Sequence, residues 1–221
     1  MDSYLELCKC YMKLDQPATA LQWYSKGLQR FPDEAFMLQG MARVHEMLGE
    51  VQASAALYRR VLSRDAGHIE AIASLASNFF YSDRPEIALR YYRRLLQMGV
   101  HSAELWTNLG LCCFYASQFD MALTCLERAL ALAEDDVAAD VWYNVGHIGI
   151  GIGDMGVAFQ AFKVALAADP QHAESMVNLG VLEMRRGNVE AARASFRSAA
   201  RLSPHLYEAQ FNGALLAYKV G

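Results

Sequence analysis

The chain has 221 residues, of which 54% are hydrophobic and 20% are charged, and it contains only 5 prolines. This composition is too apolar for a disordered chain and too poor in proline for a linker. The 24 acidic residues outnumber the 20 basic ones, and this negative balance argues against a nucleic-acid partner and favours a protein partner.

A sequence repeat of 34 residues predicts the helices in chain order. Successive copies begin at residues 1, 35, 69 and 103, then at 139 after two extra residues, then at 173, with a partial copy at 207–221. Each complete copy has a small residue at its eighth and twentieth positions and a large one at its twenty-fourth. This pattern predicts two antiparallel helices of about 12 to 15 residues per copy, with small residues at the close approach and large side chains filling the remaining space.

Prolines and glycines agree with this register. Pro17 and Pro85 stand in the first turn of predicted second helices, where proline is tolerated. Pro32, Pro170 and Pro204 lie between one copy and the next, where they break no helix. Glycine recurs at the fifteenth position, where the chain must turn between the two helices. The glycines at this position are Gly49, Gly153, Gly187 and Gly221.

These residues resemble the tetratricopeptide repeat family. The family signature appears as Trp106-Leu109-Gly110, Ala192-Phe196 and Pro204. The resemblance implies an all-α, right-handed α-solenoid that forms a single domain over residues 1–221, with six complete helix pairs and one extra helix. The predicted repeats are 1–34, 35–68, 69–102, 103–138, 139–172, 173–206 and the partial copy 207–221.

In this family the first helices line the concave side, where a ligand would bind. Co-chaperones of the family hold a C-terminal carboxylate there with lysine, arginine and asparagine, whereas this chain has mainly apolar and aromatic residues. Such a groove suits an apolar helix or an extended segment, although the same side chains could instead pack between neighbouring repeats. The predicted groove consists of Phe80, Tyr81, Asn108, Leu111, Phe114, Tyr115, Tyr143, Asn144, Val177, Asn178, Val181 and Met184.

Asparagine recurs at the sixth position of four successive copies. Each amide can donate to and accept from a peptide backbone, so the row predicts a contact with an extended ligand. The alternative is that the amides bond a neighbouring helix, and we favour it because asparagine is common at this position of the repeat. The four residues are Asn108, Asn144, Asn178 and Asn212.

Basic residues along the second helices form a local excess in the second and third copies. A stripe of this kind is usually a solvated helix face. The local excess is nevertheless the best candidate for an acidic partner or anionic lipid headgroups. The predicted basic patch consists of Arg59, Arg60, Arg64, Arg90, Arg93 and Arg94.

The sequence predicts no enzyme, no cofactor and no metal site. The five cysteines include no CxxC pair, and Cys8, Cys113 and Cys125 lie within apolar helical patterns that predict burial. Four histidines fall in the predicted turns between repeats, too far apart to form one site, and no catalytic constellation is recognisable. They are His68, His101, His172 and His205. No run of roughly 18 apolar residues is present and no signal peptide begins the chain, so we expect a soluble, intracellular protein without a transmembrane segment.

Longer stretches resemble a narrower group, the tetratricopeptide subunits of the BBSome, the coat-like complex linked to Bardet-Biedl syndrome. They include Phe80-Tyr81-Ser82-Asp83 and Cys112-Cys113-Phe114-Tyr115, which the generic repeat does not require. The resemblance implies a non-enzymatic subunit that helps to carry membrane proteins to and from cilia. The implied location is the cytoplasm, the basal body and the ciliary membrane coat.

The same resemblance implies the partners. They are other BBSome subunits, namely a second tetratricopeptide subunit, β-propeller subunits and a small extended subunit, with peripheral membrane association through the complex. Two other classes stay open: a peptide-binding adaptor or co-chaperone, and the repeat portion of a glycosyltransferase. Because the seventh copy stops at Gly221, before its second helix, we also expect further chain or a partner at that end.

Overall fold

The computed structural model describes residues 2–220, and these residues form thirteen α-helices without a strand. They divide into two compact units, unit 1 up to Val100 and unit 2 from His101 onward. The all-α repeat architecture predicted from the sequence is confirmed. The prediction that all the copies form one continuous solenoid stays a prediction.

Unit 1 contains three helix pairs, one from each of the first three copies. The second helices begin at residues 17, 51 and 85, which preserves the 34-residue spacing of the sequence repeat. The helices of unit 1 are α1 (Asp2–Lys13), α2 (Pro17–Arg30), α3 (Ala35–Met47), α4 (Val51–Arg64), α5 (Ile69–Tyr81) and α6 (Pro85–Gln97).

Unit 2 contains three further pairs and one additional helix. Its fifth copy differs from the sequence prediction, because the first helix begins at Asp135 rather than at 139 and reaches 17 residues. The two extra residues that precede this copy therefore belong to its first helix instead of to a loop. The helices of unit 2 are α7 (Ala103–Tyr115), α8 (Phe119–Leu132), α9 (Asp135–Gly151), α10 (Met155–Ala168), α11 (Ala173–Arg185), α12 (Val189–Leu202) and α13 (Tyr207–Val220).

Small residues at the eighth position allow the two helices of a pair to approach, as predicted. A Cβ atom placed on Gly110 would lie 3.3 Å from the carbonyl oxygen of Ala122 at the twentieth position. A Cβ on Gly146 would lie 2.5 Å from the ring of Phe162, the large residue at the twenty-fourth position. Interiors are packed to crystal-like density, so neither site has room for a larger side chain.

The turn between paired helices has the same backbone conformation in all six complete copies. Its fifteenth residue has a positive φ, which glycine adopts without steric cost. The angle is 73° at Gly49 and 83° at both Gly153 and Gly187, as the sequence predicts. Three other copies use non-glycine residues for the same turn, whereas Gly221 lies outside the described residues. These three are Asp15 (φ 54°), Asp83 (φ 57°) and Ser117 (φ 58°).

The predicted burial of Cys8, Cys113 and Cys125 is confirmed, and Cys112 is buried as well. Burial raises the pKa of Cys8 to about 11 and that of Cys112 to about 12. These two thiols therefore stay protonated at neutral pH and pack as small apolar groups. The remaining cysteine, Cys10, is exposed on α1.

Candidate interaction surfaces

The part of the predicted groove that falls in unit 1 lies at the end of α5. Phe80 is half-buried and its ring lies 5.4 Å from that of Tyr81 in an edge-to-face arrangement. Tyr81 is 84% exposed. An exposed aromatic side chain held by a second ring presents a firm apolar contact to a partner.

The rest of the predicted groove lies on the first helices of unit 2, α7, α9 and α11. Tyr115 is 62% exposed at the end of α7. Val177 is buried, so it contributes to packing more than to an open surface. The remaining side chains are half-buried, so each can pack within the unit and also contact a partner. Their role in binding stays a prediction. These half-buried residues are Asn108, Leu111, Phe114, Tyr143, Asn144, Asn178, Val181 and Met184.

Three of these side chains meet in a cleft of about 220 Å³ formed by α9, α11 and the start of α13. The ring of Tyr143 lies 4.5 Å from that of His147 and 6.0 Å from that of Phe162. His147 is exposed at its edge, but its ring packs on these two aromatic rings, and this burial lowers its pKa below 6.5. The cleft is lined by Tyr143, His147, Glu174, Val177, Asn178, Leu206 and Glu208.

This cleft carries charged side chains, whereas the sequence predicted mainly apolar and aromatic residues for the groove. The exposed carboxylates of Glu174 and Glu208 stand at its rim. Both occupy the second position of their copies. The signal that could have found them is that the second position lies one helical turn from the fifth, on the same face.

Two members of the asparagine row make polar contacts with other residues of the chain. The amide nitrogen of Asn144 donates to the carbonyl oxygen of Asp140, one turn earlier, at 2.8 Å. The amide nitrogen of Asn178 lies 3.2 Å from Nε2 of His147 on the neighbouring helix and can donate to it when that nitrogen is unprotonated. These contacts support the interpretation of the row as structural.

Half of the predicted basic patch is engaged within unit 1. Arg60 and Arg64 each donate to one carboxylate oxygen of Asp33 at 2.6 Å, and these bonds lower the pKa of Asp33 below its usual value. Arg94 donates to the carbonyl oxygen of Ala66 at 2.5 Å. The three other arginines are exposed and form no ion pair within residues 2–220. They are Arg59, Arg90 and Arg93.

A polar network joins α3 to α5 and to α4 in unit 1. Arg43 donates from Nε to Glu70 at 2.6 Å, and Gln39 donates to the same carboxylate. The hydroxyl of the buried Tyr58 donates to Glu46 at 3.1 Å. The bond from Arg43 lowers the pKa of Glu70, so this carboxylate stays charged and links the second copy to the third.

A larger cleft, of about 520 Å³, lies between α1 and α3 of unit 1. Its walls combine apolar side chains with the cations Lys9, Lys13 and Arg43. The predicted groove did not include this cleft, since none of the predicted groove residues precedes Phe80. The missed signal is that the ninth and thirteenth positions of a first helix lie one turn apart on one face.

Two histidines in turns between repeats cap helices instead of forming a site. Nδ1 of His68 accepts from the backbone nitrogen of Ala71 at 3.3 Å, and Nδ1 of His172 accepts from that of Ser175 at 3.1 Å. Among the side chains that the structure describes, no three His, Cys, Asp or Glu are placed to hold a metal. Within residues 2–220, no helix has the length and apolarity needed to cross a membrane.

Comparisons with known proteins agree with this geometry. Two family models, both described as tetratricopeptide repeat, match residues 103–136 in one case and 74–117 with 153–207 in the other. The chain is 51% identical to Tetratricopeptide repeat protein 8 of Caenorhabditis elegans over 164 residues, which are 74% of this chain and 32% of that protein. It is 25% identical to BBSome complex member BBS4 of Bos taurus over 72% of this chain and 30% of that one.

The fold itself is shared more widely. The crystal structure of a tetratricopeptide repeat protein from Parabacteroides merdae superposes with a TM-score of 0.83 at 14% identity, covering 97% of this chain and 83% of that one. At this identity the likeness shows the fold alone. The present chain spans about a third of the length of the curated relatives it matches.

Proposed function

Because this chain belongs to the tetratricopeptide repeat family, we propose that it is a non-enzymatic scaffold subunit of the BBSome, the coat complex that traffics membrane proteins to and from cilia. The proposal rests on the 51% identity to Tetratricopeptide repeat protein 8. The fold requires far less, since the Parabacteroides merdae protein shares it at 14% identity. The shared residues therefore reflect more than the helical repeat.

The proposed partners are the other BBSome subunits: a second tetratricopeptide subunit, β-propeller subunits and a small extended subunit. The similarity to BBSome complex member BBS4 supports a place in the same kind of assembly. In this proposal the protein acts in the cytoplasm, at the basal body and in the ciliary membrane coat, and it meets the membrane peripherally, through the complex.

The proposed contact surface is the predicted groove of first-helix side chains. Its most accessible members are Tyr81 in unit 1 and Tyr115 in unit 2. Tyrosine is enriched at interfaces because it brings a large apolar ring and a polar hydroxyl with little loss of conformational freedom. Both rings are held in place by a neighbouring phenylalanine.

The test is co-elution with the named complex. A tagged chain is expressed in ciliated cells, the pull-down is separated by size exclusion, and BBSome subunits are quantified by mass spectrometry in the fraction that contains the chain. We expect those subunits to co-elute, and we expect Tyr81→Ser combined with Tyr115→Ser to reduce their recovery. Tyr218→Ser is the matched control, because Tyr218 is also exposed but lies on α13 outside the predicted groove. Recovery of chaperones without BBSome subunits would contradict the proposal.

A further inference from the structure

A small pocket lies in unit 1 between α4, the second helix of the second copy, and α5, the first helix of the third. Its volume is about 40 Å³, and Val51, Ala55, Leu75 and Phe79 give it apolar walls. Ala55 and Leu75 are buried, whereas Val51 is 39% exposed, which places it at the rim. None of the lining residues belongs to the predicted groove. A pocket of this size admits one small group, such as the end of a single side chain.

The aromatic wall of this pocket is fixed by its neighbours. The ring of Phe79 stacks on that of Tyr91 of α6, with the two centroids 5.5 Å apart. The guanidinium of Arg84 lies over the same Phe79 ring, 5.6 Å from its centroid, which is within the range of a cation–π attraction. Arg84 therefore places a positive charge beside the apolar wall.

Asn78 of α5 lines the same pocket and has a hydrogen-bond donor without a partner. Nδ2 of its side chain is shielded from solvent and forms no hydrogen bond with any described residue. The nearby hydroxyl of Ser82 donates to the backbone carbonyl of Asn78 at 2.7 Å, so this hydroxyl is already engaged. Buried amide nitrogens are nearly always paired, because an unpaired one loses its bonds to water without compensation. The lone donor points to an acceptor that a ligand supplies.

The charge around the pocket favours an anionic acceptor. Arg59 lines the pocket from α4, is exposed, and forms no ion pair with any side chain that the structure describes. The lining residues include no carboxylate, and the carboxylate of Glu50, just before α4, lies 2.5 Å from Nδ1 of His45. Arg93 occupies in the third copy the position that Arg59 occupies in the second, so the positive charge continues along the second helices.

We propose that this pocket binds a glutamate side chain of a partner protein. The carboxylate would accept a hydrogen bond from Nδ2 of Asn78 and pair with Arg59, and the two methylene groups would pack on Val51 and Phe79. A water molecule would meet the amide nitrogen but would leave the cation without a counter-charge. A phospholipid headgroup fits less well, because its phosphate is bulkier than a carboxylate. The inference rests on the proposed function for the identity of the partner, a BBSome subunit, and not for the chemistry of the pocket.

The first test needs no partner protein. The isotope-labelled chain is titrated with the capped tripeptide Ala-Glu-Ala, and NMR follows the side-chain amide signals of Asn78, which are assigned by their loss in Asn78→Leu. We expect a saturable shift at least about fivefold larger than the shift caused by capped Ala-Gln-Ala or by glycerophosphate. Arg59→Gln should reduce this shift at least about fivefold, while Arg128→Gln, the same charge loss at an exposed position of unit 2, should leave it unchanged.

A stability measurement separates a ligand contact from a structural one. Asn78→Leu keeps nearly the same side-chain volume and should raise the urea midpoint of the free chain, because it removes a buried donor that has no partner. The same variant should at least halve the shift that Ala-Glu-Ala causes in the Nε–H signal of Arg59. Asn144→Leu is the matched control and should lower the midpoint, because the Asn144 amide bonds the carbonyl oxygen of Asp140.

The second test identifies the partner. Arg59→Lys puts an amine at the rim of the pocket, and a carbodiimide joins an amine to a carboxylate in contact with it, forming an amide with loss of water. In the fraction that contains BBSome subunits, mass spectrometry should find position 59 linked to a glutamate of one of those subunits. Arg128→Lys should give no such link.

The proposal is overturned by equal shifts with Ala-Glu-Ala and Ala-Gln-Ala, by a larger shift with glycerophosphate, or by a lower urea midpoint in Asn78→Leu. It is also overturned if position 59 forms no link in a fraction that contains BBSome subunits. Co-elution is a separate measurement. Absence of the Asn78 shift would therefore refute the pocket while leaving the proposed function standing, and failed co-elution would refute the proposed function while leaving the glutamate site to the NMR titration.

Discussion

In unit 1 the fifth and ninth positions of the second copy hold Gln39 and Arg43, whereas the same positions of the fifth copy, in unit 2, hold Tyr143 and His147. The first pair joins two copies through the carboxylate of Glu70, and the rings of the second pair meet edge to face. The backbone geometry of the helix pair is common to both units. The repeat therefore fixes which positions approach each other, but it leaves the chemistry of the first-helix surface free to differ.

The largest effect should come from the ring at the twenty-fourth position of the fifth copy. Phe162 is fully buried against Gly146, so Phe162→Ala should lower the free energy of unfolding by about 3 to 5 kcal/mol. At the same position in unit 1, Tyr58→Phe removes only the hydroxyl that bonds Glu46, and about 1 kcal/mol is expected. Urea denaturation followed by circular dichroism measures both.

The control for this comparison is Val164→Ala, on the same helix as Phe162 but partly exposed. It should cost less than about 1 kcal/mol. If Phe162→Ala cost no more than Val164→Ala, the ring would not be supporting unit 2, and the contrast between the units would fail.

A smaller effect is expected at the turns, where the two units use different residues for one backbone conformation. Ser117 has a left-handed φ of 58°, so Ser117→Gly should stabilise the chain by about 0.5 to 1 kcal/mol. Asp83 in unit 1 has a similar angle, but aspartate tolerates it better, so Asp83→Gly should gain less. Gly187→Ser should lose about 1 kcal/mol. Urea midpoints give the order, and a loss of stability in Ser117→Gly would show that the serine is not strained.

The smallest effect should appear as a difference in pH dependence. The bond from Arg43 lowers the pKa of Glu70 below 4.5 in the folded state. The contribution of Glu70 to the free energy of unfolding is therefore present above pH 4.5 and is lost only as the pH falls through the folded pKa. Burial lowers the pKa of His147 below 6.5, so folding favours the neutral ring. The stability linked to His147 is full above pH 6.5 and declines as the pH falls through its folded pKa.

Urea midpoints at about pH 7.5 and pH 5.5 separate these two groups, since only histidine titrates in that interval. His147→Gln should reduce the loss of stability on acidification, whereas Glu70→Gln should leave the size of that loss as in the unaltered chain. The same acid-induced loss in the unaltered chain and in His147→Gln would count against the interpretation that packing of the His147 ring lowers its pKa.

Local pattern was enough to predict the helix pairs. Proline, glycine and the small residues act within one copy, so their spacing predicts helix, turn and close approach, including the left-handed turns at Gly49 and Gly153. The burial of Cys8 followed from the same apolar periodicity. Features that depend on two residues of neighbouring elements were harder to foresee, because the pattern says little about which side chains reach one another.

The basic patch illustrates this difference. The sequence pattern indicates only that Arg60 and Arg64 are solvated cations. Their shared partner Asp33 is about one repeat away, and it lies in a turn where its own φ is 66°. The α1–α3 cleft was missed for a similar reason, because Lys9 and Lys13 acquire a common cavity with Phe36 only when the two copies pack. A concave site is a property of the assembled copies rather than of one copy.

The burial of four cysteines leaves the chain with a ready chemical handle. Cys10 is the exposed thiol among the five, all of which lie in the described part of the chain. A maleimide dye added to the folded, unaltered protein should therefore attach at a single place. That place is the same helix as Lys9 and Lys13, so the dye would report on whatever enters beside it, without any engineered residue.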